Sequence, residues 1–384
     1  MIDPTGDFYH FKYISSILSC LIFGIYFFVN KRYFNINYVQ SLILIIFCVL
    51  MPLYGLLVTF LNTEIGKIND TSYLGFSVLL LLLLPVVFIK RKIFLNTLIL
   101  ALRSLSLLIV IILFSFILDT DSNGLAQFFI ERGSMLVGFR EYAGIQTYYL
   151  YFTASPLLII LVAYDSYCLT KEVTVFNIFL FTLSTISIFL SGTRFNMLVA
   201  IIILPITLLI YKFSLKNSIY YLVMISFFFI LLFQNSFISS FFNSNEGSNS
   251  VKVGYIDTYL SIFKQPEVLI LGQGFNASNS SILFKNMLIN FGNEGTKTEL
   301  TFVELFRVFG LFFGFFFNIA ILSLPFLLYR KIREINFIII GITFYLLSSF
   351  LNPYIFSTNG VVIFLLILVV LQNDNTNNNY NFLT

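Results

Sequence analysis

Three arginine sites, two of them with neighbouring carboxylates, carry most of the chemistry this sequence could perform. In the first, Glu131-Arg132 and Arg140-Glu141-Tyr142 flank a glycine-containing segment. In the second, Ser191-Gly192-Thr193-Arg194 sets an arginine in a tight polar turn between two apolar runs. The third, Glu299-Leu-Thr-Phe-Val-Glu304-Leu-Phe-Arg307, opens a long apolar run. A guanidinium presents a planar fork of donors that suits phosphate or pyrophosphate oxygens. Arg194, confined near a membrane surface by so short a turn, is therefore a candidate for a lipid-linked phosphate, or an anchor to phospholipid headgroups. Glu304 and Arg307 lie three apart, share a helical face and are predicted to form an ion pair, either neutral and structural or a means of tuning a base. Glu141, Glu299 and Glu304 are all candidates for a general base, and spacing does not choose among them.

A second kind of signal is the polar run Asn243 to Leu300, the only long interval without an apolar stretch of membrane length. Its amides and hydroxyls, with Asn276 and Asn279 among them, could hydrogen-bond sugars. Within it, Tyr255, Tyr259, Ile262 and Phe263 recur at helical spacing, which predicts a short helix with one apolar face lying over the membrane. Asn352-Pro353, followed by Asn359-Gly360, marks a polar turn late in the chain that could line the same site.

Composition restricts what these residues can belong to. Of 384 residues, 58% are hydrophobic and 10% charged, with mean hydropathy +0.93, which is not the profile of a soluble domain with a single core. The expected fold is all-α, a polytopic bundle of membrane helices, because lipid requires each spanning element to satisfy its own backbone. The net charge of +4 includes no basic stripe of the nucleic-acid type. His10 is the single histidine, and Cys20, Cys48 and Cys168 show no CxxC pairing, so neither a disulfide framework nor a metal centre is expected. Asp119-Thr-Asp121 has the spacing of a metal-binding pair, but it falls on the outer side, away from nucleotide sugars.

Apolar runs long enough to cross the bilayer occur at 13–30, 41–61, 73–89, 95–118, 147–164, 173–190, 195–211, 217–242, 301–329, 335–351 and 358–371. That is about eleven spans: eight over 1–242, the large outer loop 243–300, three more over 301–372, and a disordered tail over 373–384. Basic residues recur in every second loop, at Lys31-Arg32, Lys90 to Lys92, Lys171, Lys212 with Lys216, and Arg330-Lys331. The positive-inside rule then puts the N-terminus and the long loop outside and the C-terminus inside. Arg103, within the fourth span, is read as reaching for headgroups near its inner end.

Taken together, Gly138-Phe139-Arg140-Glu141, Ser191-Gly-Thr-Arg194, Leu271-Gly-Gln-Gly-Phe275, Glu299 to Gly310 and Asn352-Pro353 resemble motifs of the Wzy-type O-antigen and capsule polymerases of bacterial inner membranes. The resemblance covers most of the chain, but the family's paired loop motif with glycine eleven positions after arginine is missing. It implies a metal-independent, cofactor-free transferase of the membrane-embedded glycosyltransferase C superfamily. Such an enzyme moves a growing glycan from undecaprenyl pyrophosphate onto a lipid-linked repeat unit at the periplasmic face. Implied partners are that donor and acceptor, the lipid bilayer, and the flippase and chain-length regulator of the same pathway. Arg194 and Arg140, then Arg307 and Arg132, would stabilise the leaving pyrophosphate. Tyr142, Tyr255, Tyr259, Asn276, Asn279 and Asn352 would offer surfaces to the glycan. The alternatives are an O-antigen ligase, whose histidine the outer loop lacks, and a lipid-linked oligosaccharide flippase or transporter.

Overall fold

The computed structural model describes residue 18 and residues 36–61, 72–118, 124–131, 133–142, 145–191, 193–211, 247–275, 300–332 and 336–372. These are mostly helical. In chain order they form α1 (Tyr38–Leu61), α2 (Ser72–Leu82), α3 (Arg91–Leu118), α4 (Gly124–Glu131), β1 (Met135–Tyr142), β2 (Ile145–Phe152), α5 (Leu158–Lys171), α6 (Val175–Leu190), α7 (Arg194–Tyr211), α8 (Gly247–Ile262), α9 (Pro266–Leu271), α10 (Thr301–Ile332), α11 (Phe337–Phe350) and α12 (Thr358–Leu371). Four of them, Tyr38–Leu61, Arg91–Ile117, Arg194–Tyr211 and Thr301–Ile332, are long and apolar enough to cross a membrane; α2, α6, α11 and α12 are apolar but shorter. The expected spans 13–30 (apart from Leu18) and 217–242 lie outside the described residues, as does the tail 373–384.

One expected span is corrected. Residues 147–152, assigned above to the start of a span over 147–164, belong to the second strand of an antiparallel hairpin, Ile145–Phe152, paired from Met135 opposite Phe152 to Tyr142 opposite Ile145. The stretch Ile-Gln-Thr-Tyr-Tyr-Leu-Tyr-Phe is apolar enough to score as a span, but its aromatic and β-branched residues favour a pleated strand. The helix that follows begins at Leu158 and runs on to Lys171.

The chain forms two compact units. The first contains nearly all of α3, then α4, the hairpin, α5 to α7 and most of α11. Its centre is α5, where Leu158 through Ala163 are each at most 1% exposed. A helix apolar on every side must be enclosed by others, and α6, α7 and α11 supply that enclosure, with Tyr164 meeting Phe337 edge-on at 5.1 Å. Between α3 and α6, the Ser106 and Ser187 hydroxyls lie 2.7 Å apart, an interhelical hydrogen bond of the kind that joins helices in lipid.

The second unit contains α1, α2, α8 to α10 and α12. Every residue of α12 from Val361 to Leu371 except Val362 is buried. Its C-terminal end, where carbonyls run short of helical donors, is met by the start of α1 and the residue capping it. Asn37 Nδ2 donates to the Leu371 carbonyl at 2.7 Å and Gln40 Nε2 to that of Leu368 at 2.8 Å. The same two residues form the capping box of α1, each backbone amide donating to the other's side chain at 2.9 Å. Within α1, residues Ile45–Leu50 form a π-helical turn, and the Ser77 hydroxyl of α2 donates to the Phe47 carbonyl there at 2.8 Å.

Candidate functional site

The predicted helix in the polar segment is present as α8, and its predicted face is buried. Tyr255, Tyr259 and Ile262 are at most 2% exposed and pack with Leu300, while Ile256 faces outward. This packing carries the Tyr259 hydroxyl to α10, where it donates to Glu304 Oε2. The predicted Glu304–Arg307 pair also forms. Arg307 Nε donates to Glu304 Oε2 at 2.9 Å and Nη2 donates to Oε1, a bidentate fork on a carboxylate. Arg307 is 0% exposed and Glu304 2%. A buried guanidinium needs a counter-ion and further acceptors, and the further acceptor is Gln273, whose Oε1 receives a hydrogen bond from Nη1 at 3.0 Å.

Gln273 belongs to a five-residue strap, Leu271 to Phe275, that closes on α10 where that helix is interrupted. Gly310 has φ 72° and ψ 179°, outside helical geometry. Only glycine enters that conformation without strain, and a Cβ there would also strike the Ile270 carbonyl. In a continuous helix the carbonyls of Arg307 and Val308 would accept from the amides of Leu311 and Phe312. Here they accept from the strap, from Gln273 N at 2.8 Å and Gly274 N at 2.9 Å. On its other side the strap is held by α1, where Thr59 Oγ1 accepts from Phe275 N at 2.7 Å and donates to the Gly55 carbonyl at 2.6 Å. The Phe275 ring, 0% exposed, lies over Gly55, stacked on Tyr73 and edge-on to Phe309.

This geometry bears on the expected roles. Glu304 accepts three hydrogen bonds from Arg307 and Tyr259, most of a carboxylate's capacity of about four. These bonds tie both of its oxygens to α8 and to its own helix. Tyr255 and Tyr259, expected to present ring faces to a glycan, are packing residues of this core. The cluster is a clamp between the polar segment and α10.

Asn352 lies in the turn after α11, and its carbonyl accepts from the Thr301 hydroxyl at 3.0 Å, so the predicted polar turn adjoins the start of α10. In the first unit, Arg194 is the opening residue of α7 and is partly buried. The turn before it is fixed by Asn196, 0% exposed, whose Nδ2 donates to Ser191 Oγ at 2.9 Å and whose Oδ1 accepts from Ser348 of α11 at 3.3 Å. On β1, Arg140, Glu141 and Tyr142 pair through their backbones with Thr147, Gln146 and Ile145 of β2. Arg132, Asp119, Asp121, Asn276, Asn279 and Glu299 lie outside the described residues.

The reading of Arg103 is also corrected. It turns inward, pairing through Nη2 with Asp165 Oδ1 of α5 at 3.2 Å, with its guanidinium 5.5 Å from the Tyr164 ring centre. Asp165 is 2% exposed, and a buried carboxylate left without a counter-ion is costly. The expected span ended at 164, which placed Asp165 outside the membrane segment.

Among the described residues no group of histidine, cysteine or carboxylate side chains is arranged to hold a metal ion. Compared with protein-family models, with curated proteins and with solved structures, the chain matches none.

Proposed function

We propose that the chain is a Wzy-type surface-polysaccharide polymerase of about eleven spans. It transfers a growing glycan from undecaprenyl pyrophosphate to a lipid-linked repeat unit at the outer face of a bacterial inner membrane. One observation carries the reading. Two of the stretches on which the resemblance rests, Leu271 to Phe275 and Glu304 to Gly310, form a single hydrogen-bonded assembly centred on Arg307. A connector with no role beyond joining two helices does not need a buried ionic clamp, whose desolvation costs several kcal/mol per ion.

In this reading the clamp holds the polar segment at a helix of membrane length, where a lipid-linked substrate can reach it. Arg194 and Arg140 stabilise the charge that develops on the departing pyrophosphate. The acceptor hydroxyl oxygen bonds to the donor's anomeric carbon as the carbon–oxygen bond to pyrophosphate breaks, and the hydroxyl proton passes to a base, with Glu141, Glu299 and Glu304 the candidates.

The test is a gel ladder of surface polysaccharide from cells lacking the gene and from cells with it restored. Collapse of the ladder to a single repeat unit, reversed on complementation, is the expected result. An unchanged ladder would overturn the proposal. Loss of even the single capped unit would redirect it to a ligase or a flippase.

A further inference from the structure

The interruption of α10 and the docking of the strap depend on each other, and Gln273 is the residue common to both. Its backbone amide satisfies the Arg307 carbonyl that the break exposes, and its side chain holds the Arg307 guanidinium. Without the strap, the carbonyls of Arg307 and Val308, both fully buried residues, would lose these donors. Each unsatisfied group there costs several kcal/mol, and the available remedy is for α10 to close its own ladder through the amides of Leu311 and Phe312. That closure requires Gly310 to become helical. Ile270 and Gly272 are then displaced, because in the docked form the backbone at Gly272 lies against Val308 and Gly310, with Gly272 itself at φ 86°. Two discrete arrangements follow: strap docked with α10 broken, and strap released with α10 continuous.

We infer that Gln273 is a positioning residue. By holding the broken, docked arrangement it sets where the strap, Leu271 to Phe275, lies against α10, and it contacts no substrate itself. That this position serves glycan transfer rests on the function proposed above; the coupling between strap and helix does not.

Amide hydrogen exchange on the full chain in lipid nanodiscs tests the coupling directly. Gly310→Ala disfavours the break, so the amides of residues 271–275 should exchange about tenfold faster while those of Leu311 and Phe312 exchange more slowly. Opposite signs in the two peptides support a switch. Faster exchange in both, which is general loosening, or no change in either overturns it. Should Gly310→Ala not fold, Gln273→Met gives the same readout at the strap, and unaltered exchange there would count against the assignment.

Transfer is measured in vitro with lipid-linked repeat units. Gln273→Met should lower kcat by about tenfold and leave KM within about twofold, while Gln273→Glu, which retains the acceptor oxygen for Arg307, should recover most of the rate. Equal losses in both variants would reduce Gln273 to a packing residue. If deleting the gene leaves the polysaccharide ladder intact, the polymerase reading fails while the exchange result stands.

Discussion

Gln273 meets Arg307 twice, its backbone amide donating to the Arg307 carbonyl at 2.8 Å and its side-chain oxygen accepting from the guanidinium at 3.0 Å. One residue of a polar segment thereby holds both the main chain and the charge of a residue within a membrane-length helix.

Removing one ion of the clamp should cost more than removing both. Arg307→Met strands a carboxylate that is 2% exposed, a situation that typically costs about 3–5 kcal/mol. Adding Glu304→Leu to that variant should return much of the loss. Thermal unfolding in detergent measures both, and a single variant as stable as the parent would show that Glu304 finds another partner.

Arg103 and Asp165 should be unequal partners. Asp165→Ala leaves Arg103, which is 29% exposed, free to extend to headgroups, at a cost of about 1 kcal/mol. Arg103→Ala leaves Asp165 charged and enclosed and should cost about 3 kcal/mol or more. Equal losses in the two variants would mean that the pair acts through packing alone.

Arg194→Ala should abolish chain growth while the protein accumulates normally in the membrane, and Arg194→Lys should rescue poorly because an ammonium lacks the planar fork. Wild-type chain lengths at matched expression would remove Arg194 from the transfer chemistry.

Asn196→Ala breaks the bonds to Ser191 and Ser348 and leaves buried hydroxyls without that partner, a loss of about 1–3 kcal/mol. Because those bonds fix the turn ahead of Arg194, chain length should shorten even in the protein that remains folded. A full-length polysaccharide ladder from a destabilised Asn196→Ala protein would separate the turn from function.

Local spacing made the Glu304–Arg307 pair and the buried face of α8 legible, because both are helical neighbours whose geometry is fixed by 3.6 residues per turn. Gln273 and Asn196 were not legible. Each acts on residues distant in sequence, and an isolated amide side chain carries no periodic signal. Asp165 was missed because the hydropathy reading ended the span at 164, whereas the helix runs on to Lys171. The hairpin was missed for a different reason, since residues 147–152 run straight on into the apolar start of α5 and only their aromatic and β-branched character marks them as strand.

The interruption at Gly310 also makes one helix depend on a neighbouring segment for its own backbone pairing. Non-helical backbone at membrane depth is tolerated only where protein covers it, and here the cover is the strap, whose amides reach the Arg307 and Val308 carbonyls. A defect in the strap therefore falls on α10 even when no residue of α10 has changed.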